Sequence, residues 1–198
     1  MSQLAYAIDQ RLYLNITDRC TLVCAFCPKT QGVLEVKGYD LTLERRPTAA
    51  EVITAIGDPG GYEQVVFCGY GEPTLRLKVL LEVATWVRGF DVPVRVNTDG
   101  LANLVHKRNV LPELGACVNS LSVSMNAHNA EVYARHCQPR LPGSFDAMLD
   151  FLRLAPGEIR DITATAIEGL DGVDIPACRR LAGSLGVKFR KRVLDQVG

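Results

Sequence analysis

The chain has 198 residues, with 22 Lys and Arg against 22 Asp and Glu, and therefore no formal net charge. Its 47% hydrophobic and 22% charged residues are globular composition, which excludes intrinsic disorder and leaves no charge excess to neutralise nucleic-acid phosphates. No apolar run approaches the ~18 residues of a membrane span, and Met1–Gln10 lacks a basic stretch followed by an apolar block, so the expected setting is cytoplasmic.

In chain order, Leu12–Ile16 reads as the first strand. After it, residues 17–47 show neither helical nor strand periodicity, and a loop of that length is more often functional than accidental. Thr48-Ala-Ala-Glu51 has the form of a capping box before a helix with Val52, Ile53 and Ile56 on its apolar face. Gln64–Cys68 is the second strand. Thr74 is expected to cap a helix in which Leu77, Leu80, Leu81, Ala84 and Val87 recur at helical spacing, stopping near Gly89. Pro93–Asn97 and Ser120–Met125 are the next strands. Ser144 should start a helix burying Phe145, Met148, Leu149 and Leu152, which Pro156-Gly157 ends. Asp161–Ile167 follows as a strand. Asp174 opens a helix with Ile175, Cys178, Leu181 and Leu185, and Gly186 stands where a terminating glycine belongs. Val187–Val193 is the sixth strand.

Strands alternating with helices imply an α/β chain of parallel βαβ units. Either an open doubly wound sheet or a partly closed barrel fits, since a complete eight-unit barrel usually needs ~250 residues. No linker divides the chain, so 1–198 is expected to form one domain.

Seven cysteines, an odd count without a signal peptide, argue against a disulfide framework. Three of them fall within eight residues of the long loop, in Cys20-Thr-Leu-Val-Cys24-Ala-Phe-Cys27. Such clustering points to a metal centre. A closed zinc site needs four protein ligands, so the fourth would come from a remote Cys or from His106, His128 or His136. An iron–sulfur cluster normally takes four cysteines as well, and a set of three suggests a cluster with one iron left open.

The Cys-x3-Cys-x2-Cys spacing with aromatic Phe26 before the third cysteine resembles the signature of radical S-adenosylmethionine (radical SAM) enzymes. The resemblance spans 12–193 and implies a partial (β/α)6 barrel. It further implies that Cys20, Cys24 and Cys27 hold a 4Fe–4S cluster whose open iron chelates S-adenosylmethionine, with Phe26 near the adenine. Cys68-Gly69-Tyr70-Gly71-Glu72-Pro73 is similar to the family's Gly-Gly-Glu-Pro segment, with Tyr70 in place of the first glycine. By that likeness, the backbone of Gly69, Tyr70 and Gly71 and the carboxylate of Glu72 receive the methionine ammonium.

Strand residues alternate in direction. Val94 and Val96, then Leu121, Val123 and Met125, then Ile162, Ala164 and Ala166 should face the helices. Arg95 and Asn97, then Ser122, Ser124 and Asn126, then Thr163 and Thr165 should face the lumen. A structural lumen would be filled with branched aliphatics, so a polar one suggests a ligand cavity. The family likeness makes Asn97, Ser124 and Asn126 contacts of the cofactor's ribose and carboxylate. Arg95 needs a partner, because an isolated buried charge is costly. An anionic group on the substrate or the cofactor carboxylate is favoured over an ion pair with Glu168 or Asp99.

Cys68, Cys117, Cys137 and Cys178 read as packing residues, as does Trp86, with Cys68 also placed to touch the cofactor region. The Lys188-Phe-Arg190-Lys-Arg192 run reads as a solvated edge, the alternative being a lumen site for an anionic substrate to which Lys188 and Arg190 contribute. The expected activity is reductive cleavage of S-adenosylmethionine to a 5′-deoxyadenosyl radical that takes hydrogen from a substrate. An external electron donor such as flavodoxin or ferredoxin would supply the electron. The motifs most resemble the small TatD-linked members of the family, which implies a functional link to a TatD-type hydrolase. A glycyl-radical activating enzyme and a small heterocycle-forming enzyme are alternatives, and a zinc-binding module without catalysis is the alternative of another class.

Overall fold

A computed structural model describes residues 2–194. Its main sheet has seven strands in the order β1-β2-β5-β6-β7-β8-β9. These are β1 (Ala5–Ile8), β2 (Arg11–Leu14), β5 (Gln64–Phe67), β6 (Val94–Thr98), β7 (Ser120–Ser124), β8 (Asp161–Glu168) and β9 (Lys188–Val193). All neighbours pair in parallel except β1 and β2. The sheet does not close on itself, and the fold is a partial α/β barrel.

All six expected strands are present within two residues of their expected bounds. β1 was not foreseen. It joins β2 through a turn in which Asp9 takes a left-handed conformation (φ 53°), and aspartate tolerates that geometry without announcing it as glycine does. The 17–47 stretch is not wholly irregular either: β3 (Glu35–Val36) and β4 (Tyr39–Asp40) form a small hairpin through left-handed Lys37 and Gly38.

The helices are α1 (Ala49–Ile56), α2 (Leu77–Arg88), α3 (Ala102–His106), α4 (Leu111–Gly115), α5 (Ala130–Cys137), α6 (Ser144–Leu154) and α7 (Ile175–Ser184). Thr48 and Glu51 make the expected capping box on α1, and Asp174 caps α7 by accepting from the Ala177 N–H. One expected start differs, and another holds with its cap one residue earlier. Thr74 does not cap α2; a 3-10 turn over Pro73–Arg76 precedes that helix, and the Glu72 carboxylate accepts from the Thr74 N–H. Proline suits the first position of such a turn because it has no N–H to satisfy. Helix α6 starts at Ser144 as expected, with Gly143 at the capping position and the Ser144 hydroxyl donating back to the Leu141 carbonyl.

One face of the sheet packs against the helices. Val94, Val96, Leu121, Val123, Ile162, Ala164 and Ala166 join Leu80, Val83, Val87, Met148, Phe151 and Leu152 in one core. Each such side chain contributes roughly 1.5–3 kcal/mol on burial. The opposite face is split. Near β1 and β2 it is aromatic, with Tyr6 stacked on Tyr13 at 5.5 Å and covered by Val36, Tyr39 and Leu41 from the hairpin region. From β6 onward it is polar. The register sets Arg95 beside Ser120, Asn97 beside Ser122, Ser122 beside Thr163, and Ser124 beside Thr165.

Candidate functional site

The two sequence motifs interlock at the C-terminal ends of β2, β5 and β6. A methyl group on Gly69 would lie 2.3 Å from the Asn15 Oδ1, and one on Gly71 would lie 2.4 Å from the Thr17 carbonyl oxygen and 2.5 Å from that of Arg19. Glycine is therefore required where this turn presses against residues 17–19, the start of the cysteine loop. The Glu72 N–H closes the contact by donating to the Arg19 carbonyl at 2.7 Å. Tyr70 reaches sideways, and its hydroxyl donates to the Glu35 carbonyl of the hairpin at 3.2 Å.

Glu72 lies at the centre of the junction and is 4% exposed. One carboxylate oxygen accepts from the Thr74 N–H (3.0 Å), the Thr74 hydroxyl (2.6 Å) and the Thr98 hydroxyl (2.8 Å). The other accepts from the Asp99 N–H at 2.7 Å. Asp99, also buried, accepts from the Thr21 hydroxyl beside Cys20 and from the Leu101 N–H. A chain of bonds thus ties the glycine segment to β6 and to the cysteine loop. Burial, then the neighbouring Asp99 charge, pushes the Glu72 carboxyl up to about 8, and burial raises Asp99 too. The carboxylate expected to receive the methionine ammonium thus sits within this buried network.

Cys20, Cys24 and Cys27 are half-buried on a loop that α5 clamps from outside. The Val23 N–H donates to the Cys137 carbonyl (3.1 Å), the Ala25 N–H to that of His136 (2.9 Å), and the Arg140 N–H to that of Thr21 (3.0 Å). The Cys20 thiol is pushed up to about 12 by burial and by the Asp99 and Glu72 charges. Cys24 is raised by a hydrogen bond with the Cys137 thiol and by burial. Cys20 and Cys27 each add to the shift at Cys24, so the three thiols feel one another. Among the described residues, no three His, Cys, Asp or Glu side chains are grouped as one metal ion needs. The donor set fits an iron–sulfur cluster, in which each cysteine binds its own iron. Binding there would displace thiol protons that burial otherwise retains.

The rim offers acceptors without partners. Asn126 is 2% exposed and left-handed (φ 59°); its amide donates to the Cys137 sulfur at 3.6 Å, and its Oδ1 has no partner. Asn97 bonds the Cys68 thiol and likewise leaves a buried Oδ1 unmatched. Ser124 ends β7 half-buried beside them, and Phe26 packs on the core edge near Cys24. These orphaned oxygens fit a ligand rich in hydroxyl and ammonium donors, which S-adenosylmethionine is.

The histidines considered for a zinc site engage elsewhere through Nε2: His106 meets the Thr74 carbonyl, His128 the Asn129 amide, and His136 the Asp171 carbonyl. Arg95 lies on the polar face and bonds Tyr13. Neither carboxylate proposed as its ion-pair partner serves, because Glu168 pairs with Lys191 at 2.7 Å and Asp99 with Thr21. Asp99 and Cys137 were missed as parts of this region. Asp99 was legible only as a candidate ion-pair partner of Arg95, not as a partner of Glu72 and Thr21, and Cys137 carried no spacing signal. Trp86 packs on Phe90 at 4.8 Å, and Cys117 and Cys178 are buried, as expected.

The family described as the Radical SAM superfamily matches residues 14–177. No curated protein matches the chain. Among solved structures, TYW1 with a lysine-pyruvate adduct bound is similar at TM-score 0.65 and 15% identity, over 95% of this chain and 66% of that one. Streptococcus suis SuiB bound to S-adenosylmethionine gives 0.67 and 12%, over 96% and 42%. The FeFe-hydrogenase maturase HydG of Carboxydothermus hydrogenoformans gives 0.64 and 17%, over 94% and 44%. The chain therefore spans less than two thirds of the length of each.

Proposed function

Because the chain belongs to the radical SAM superfamily, we propose that Cys20, Cys24 and Cys27 hold its 4Fe–4S cluster and that the rim around Asn126 cradles S-adenosylmethionine. When bound, this pair supplies an electron to the sulfonium and, with methionine released, a 5′-deoxyadenosyl radical that takes hydrogen from the substrate. Everything else is the protein's work. By motif likeness the peptide groups of Gly69, Tyr70 and Gly71 receive the methionine end, and the contacts of the two glycines with Asn15, Thr17 and Arg19 hold that segment against the start of the cysteine loop. Glu72 holds that segment in place through its bonds to Thr74, Thr98 and the Asp99 N–H. Asn97, Ser124 and Asn126 supply polar atoms for ribose and carboxylate, and Phe26 lies against the adenine.

The observation that carries this reading is the bonded path Thr21–Asp99–Glu72–Thr74 together with the Glu72 N–H to Arg19 carbonyl bond. It couples the cysteine loop to the glycine segment in one rigid junction, as a site holding metal and ligand side by side requires. Protein reconstituted with iron and sulfide under anaerobic conditions should be brown and, with dithionite, convert S-adenosylmethionine to 5′-deoxyadenosine and methionine. Iron loading indifferent to all three cysteines, or no 5′-deoxyadenosine, would overturn it.

Two finer assignments rest on motif likeness. The chain as given, 1–198, is taken as one core domain of the small TatD-linked kind, and its electron comes from a flavodoxin or ferredoxin. Pull-down with a TatD-type hydrolase and reduction assays with each donor test them.

A further inference from the structure

The polar face of the sheet gathers cations that the protein leaves without counterions. Along β9, Arg190 stands beside Thr165 and Arg192 beside Ile167. Phe189, the neighbour before Arg190, packs into the helix-side core, where the Arg179 guanidinium lies 5.1 Å from its ring. Arg190 and Arg192 therefore point to the opposite face, the one that bears Arg95. The charges of Arg95 and Arg192 both reach the Cys68 thiol just past β5, and that of Arg190 reaches Arg95, as residues on one face of the curved sheet do. The run expected to be a solvated edge is an edge strand that turns Arg190 and Arg192 to the polar face.

Acids nearby are already engaged. Asp161 pairs with Lys188 at 2.9 Å and Glu168 with Lys191 at 2.7 Å, while Asp99 faces Thr21. Among the described residues, no carboxylate pairs with Arg95, Arg190 or Arg192. The Nε atoms of Arg95 and Arg192 are buried without an acceptor. Guanidinium groups stay charged even when crowded, and buried donors left unmet are costly. Planar forks of this kind match oxyanions two bonds at a time.

We propose that Arg95, Arg190 and Arg192 form a subsite for an oxyanion, a carboxylate or phosphate, carried by the substrate. The proposal rests on the radical SAM reading only in calling the bearer a substrate. Arg95 precedes Asn97 by two residues on β6, so it lies ~7 Å deeper along the strand than the rim. A substrate anchored there by its anion directs its other end up toward the S-adenosylmethionine rim. The sulfonium ligand's own carboxylate is the rival source of the same chemistry.

The test is anaerobic calorimetry of the iron-loaded protein with inorganic phosphate and with succinate, each with and without saturating S-adenosylmethionine. Wild type should bind at least one of the two anions in both conditions. Arg95→Gln and Arg192→Gln should weaken that binding about ten- to a hundredfold, while iron content and S-adenosylmethionine affinity stay within about threefold of wild type. Arg190→Gln, on an exposed position of the edge strand, carries the test where Arg95→Gln does not fold by thermal scan. Arg108→Gln, which breaks only the exposed pair with Glu113, is the control. The proposal fails if neither anion binds wild type, or if Arg108→Gln weakens binding as much. It also fails if S-adenosylmethionine excludes the anions and Arg95→Gln weakens both equally, for the arginines then serve the cofactor's carboxylate. Intact anion binding with no iron or S-adenosylmethionine bound would count against the family chemistry alone.

Discussion

Replacing Gly71 by Ala tests whether the glycine segment and the cysteine loop are one unit. The added methyl would sit 2.4 Å from the Thr17 carbonyl oxygen, 2.5 Å from that of Arg19 and 2.8 Å from the Arg19 nitrogen. All three atoms are backbone, so no side-chain rotation makes room. Overpacking of this kind costs roughly 1–3 kcal/mol. Separating the segments also strains the Glu72 N–H to Arg19 carbonyl bond of 2.7 Å, worth about 0.5–1.5 kcal/mol. Together they come to about 1.5–4.5 kcal/mol, or a fall in Tm of roughly 3–18 °C for a domain of this size. Thermal unfolding of the cluster-free chain reads the stability, and iron retained after desalting reads the loop, since residues 17–19 lead directly into Cys20. Gly61→Ala, where a methyl meets nothing within 4 Å, is the comparison. A Gly71→Ala protein that melts within about 2 °C of wild type and keeps its iron would refute the coupling.

Alanine at Cys20, Cys24 or Cys27 should abolish iron loading, whereas alanine at Cys117 or Cys178 should leave it unchanged by iron assay. Burial beside Asp99 raises Glu72 from 4.5 to about 8, so the folded chain holds that proton more tightly than the unfolded one. Stability of the cluster-free protein should therefore fall as pH rises from about 4.5 through 8. Glu72→Gln should flatten that fall in urea titrations at several pH values, and an unchanged slope would assign it to other groups. Tyr70→Ala removes the hydroxyl bond to the Glu35 carbonyl and should speed limited proteolysis within residues 33–40, while leaving Tm within roughly 1 °C.

Six of the strands were legible because each alternates or runs apolar over four or more residues, as Val94-Arg-Val-Asn-Thr98 does, whereas β3 and β4 are two residues each and too short for any period. Helices α3 and α4 were not, because five residues complete little more than one turn and carry no period. Helix α5 had a signal that went unused: Asn129 caps it by accepting from the Val132 N–H at 2.9 Å. The three cysteines and the glycine segment could be read because covalent spacing constrains them. The Glu72–Asp99 contact joins residues 27 positions apart. It exists only because β5 and β6 are parallel neighbours, so their C-terminal ends meet. Cys137 reaches Cys24 for a comparable reason, through the docking of a helix end on a loop, which no local pattern encodes. The direction of Arg190 depended on which face Phe189 chose, and only the packed core settles that.

A sheet that stops short of closing keeps two borders, and here they differ in character. The β1 border is a short apolar strand, Ala5–Ile8, without a charged side chain. The β9 border carries Lys188, Arg190, Lys191 and Arg192 within six residues. Unpaired peptide groups along a border invite a second chain to add its own strand. Two copies meeting through β9 would set like charges about 5 Å apart, which opposes the union at low salt and yields as salt screens it. Strand-to-strand clumping of this protein should therefore begin at the β1 border, and a lysine introduced at Ala7 should suppress it more than any change on β9.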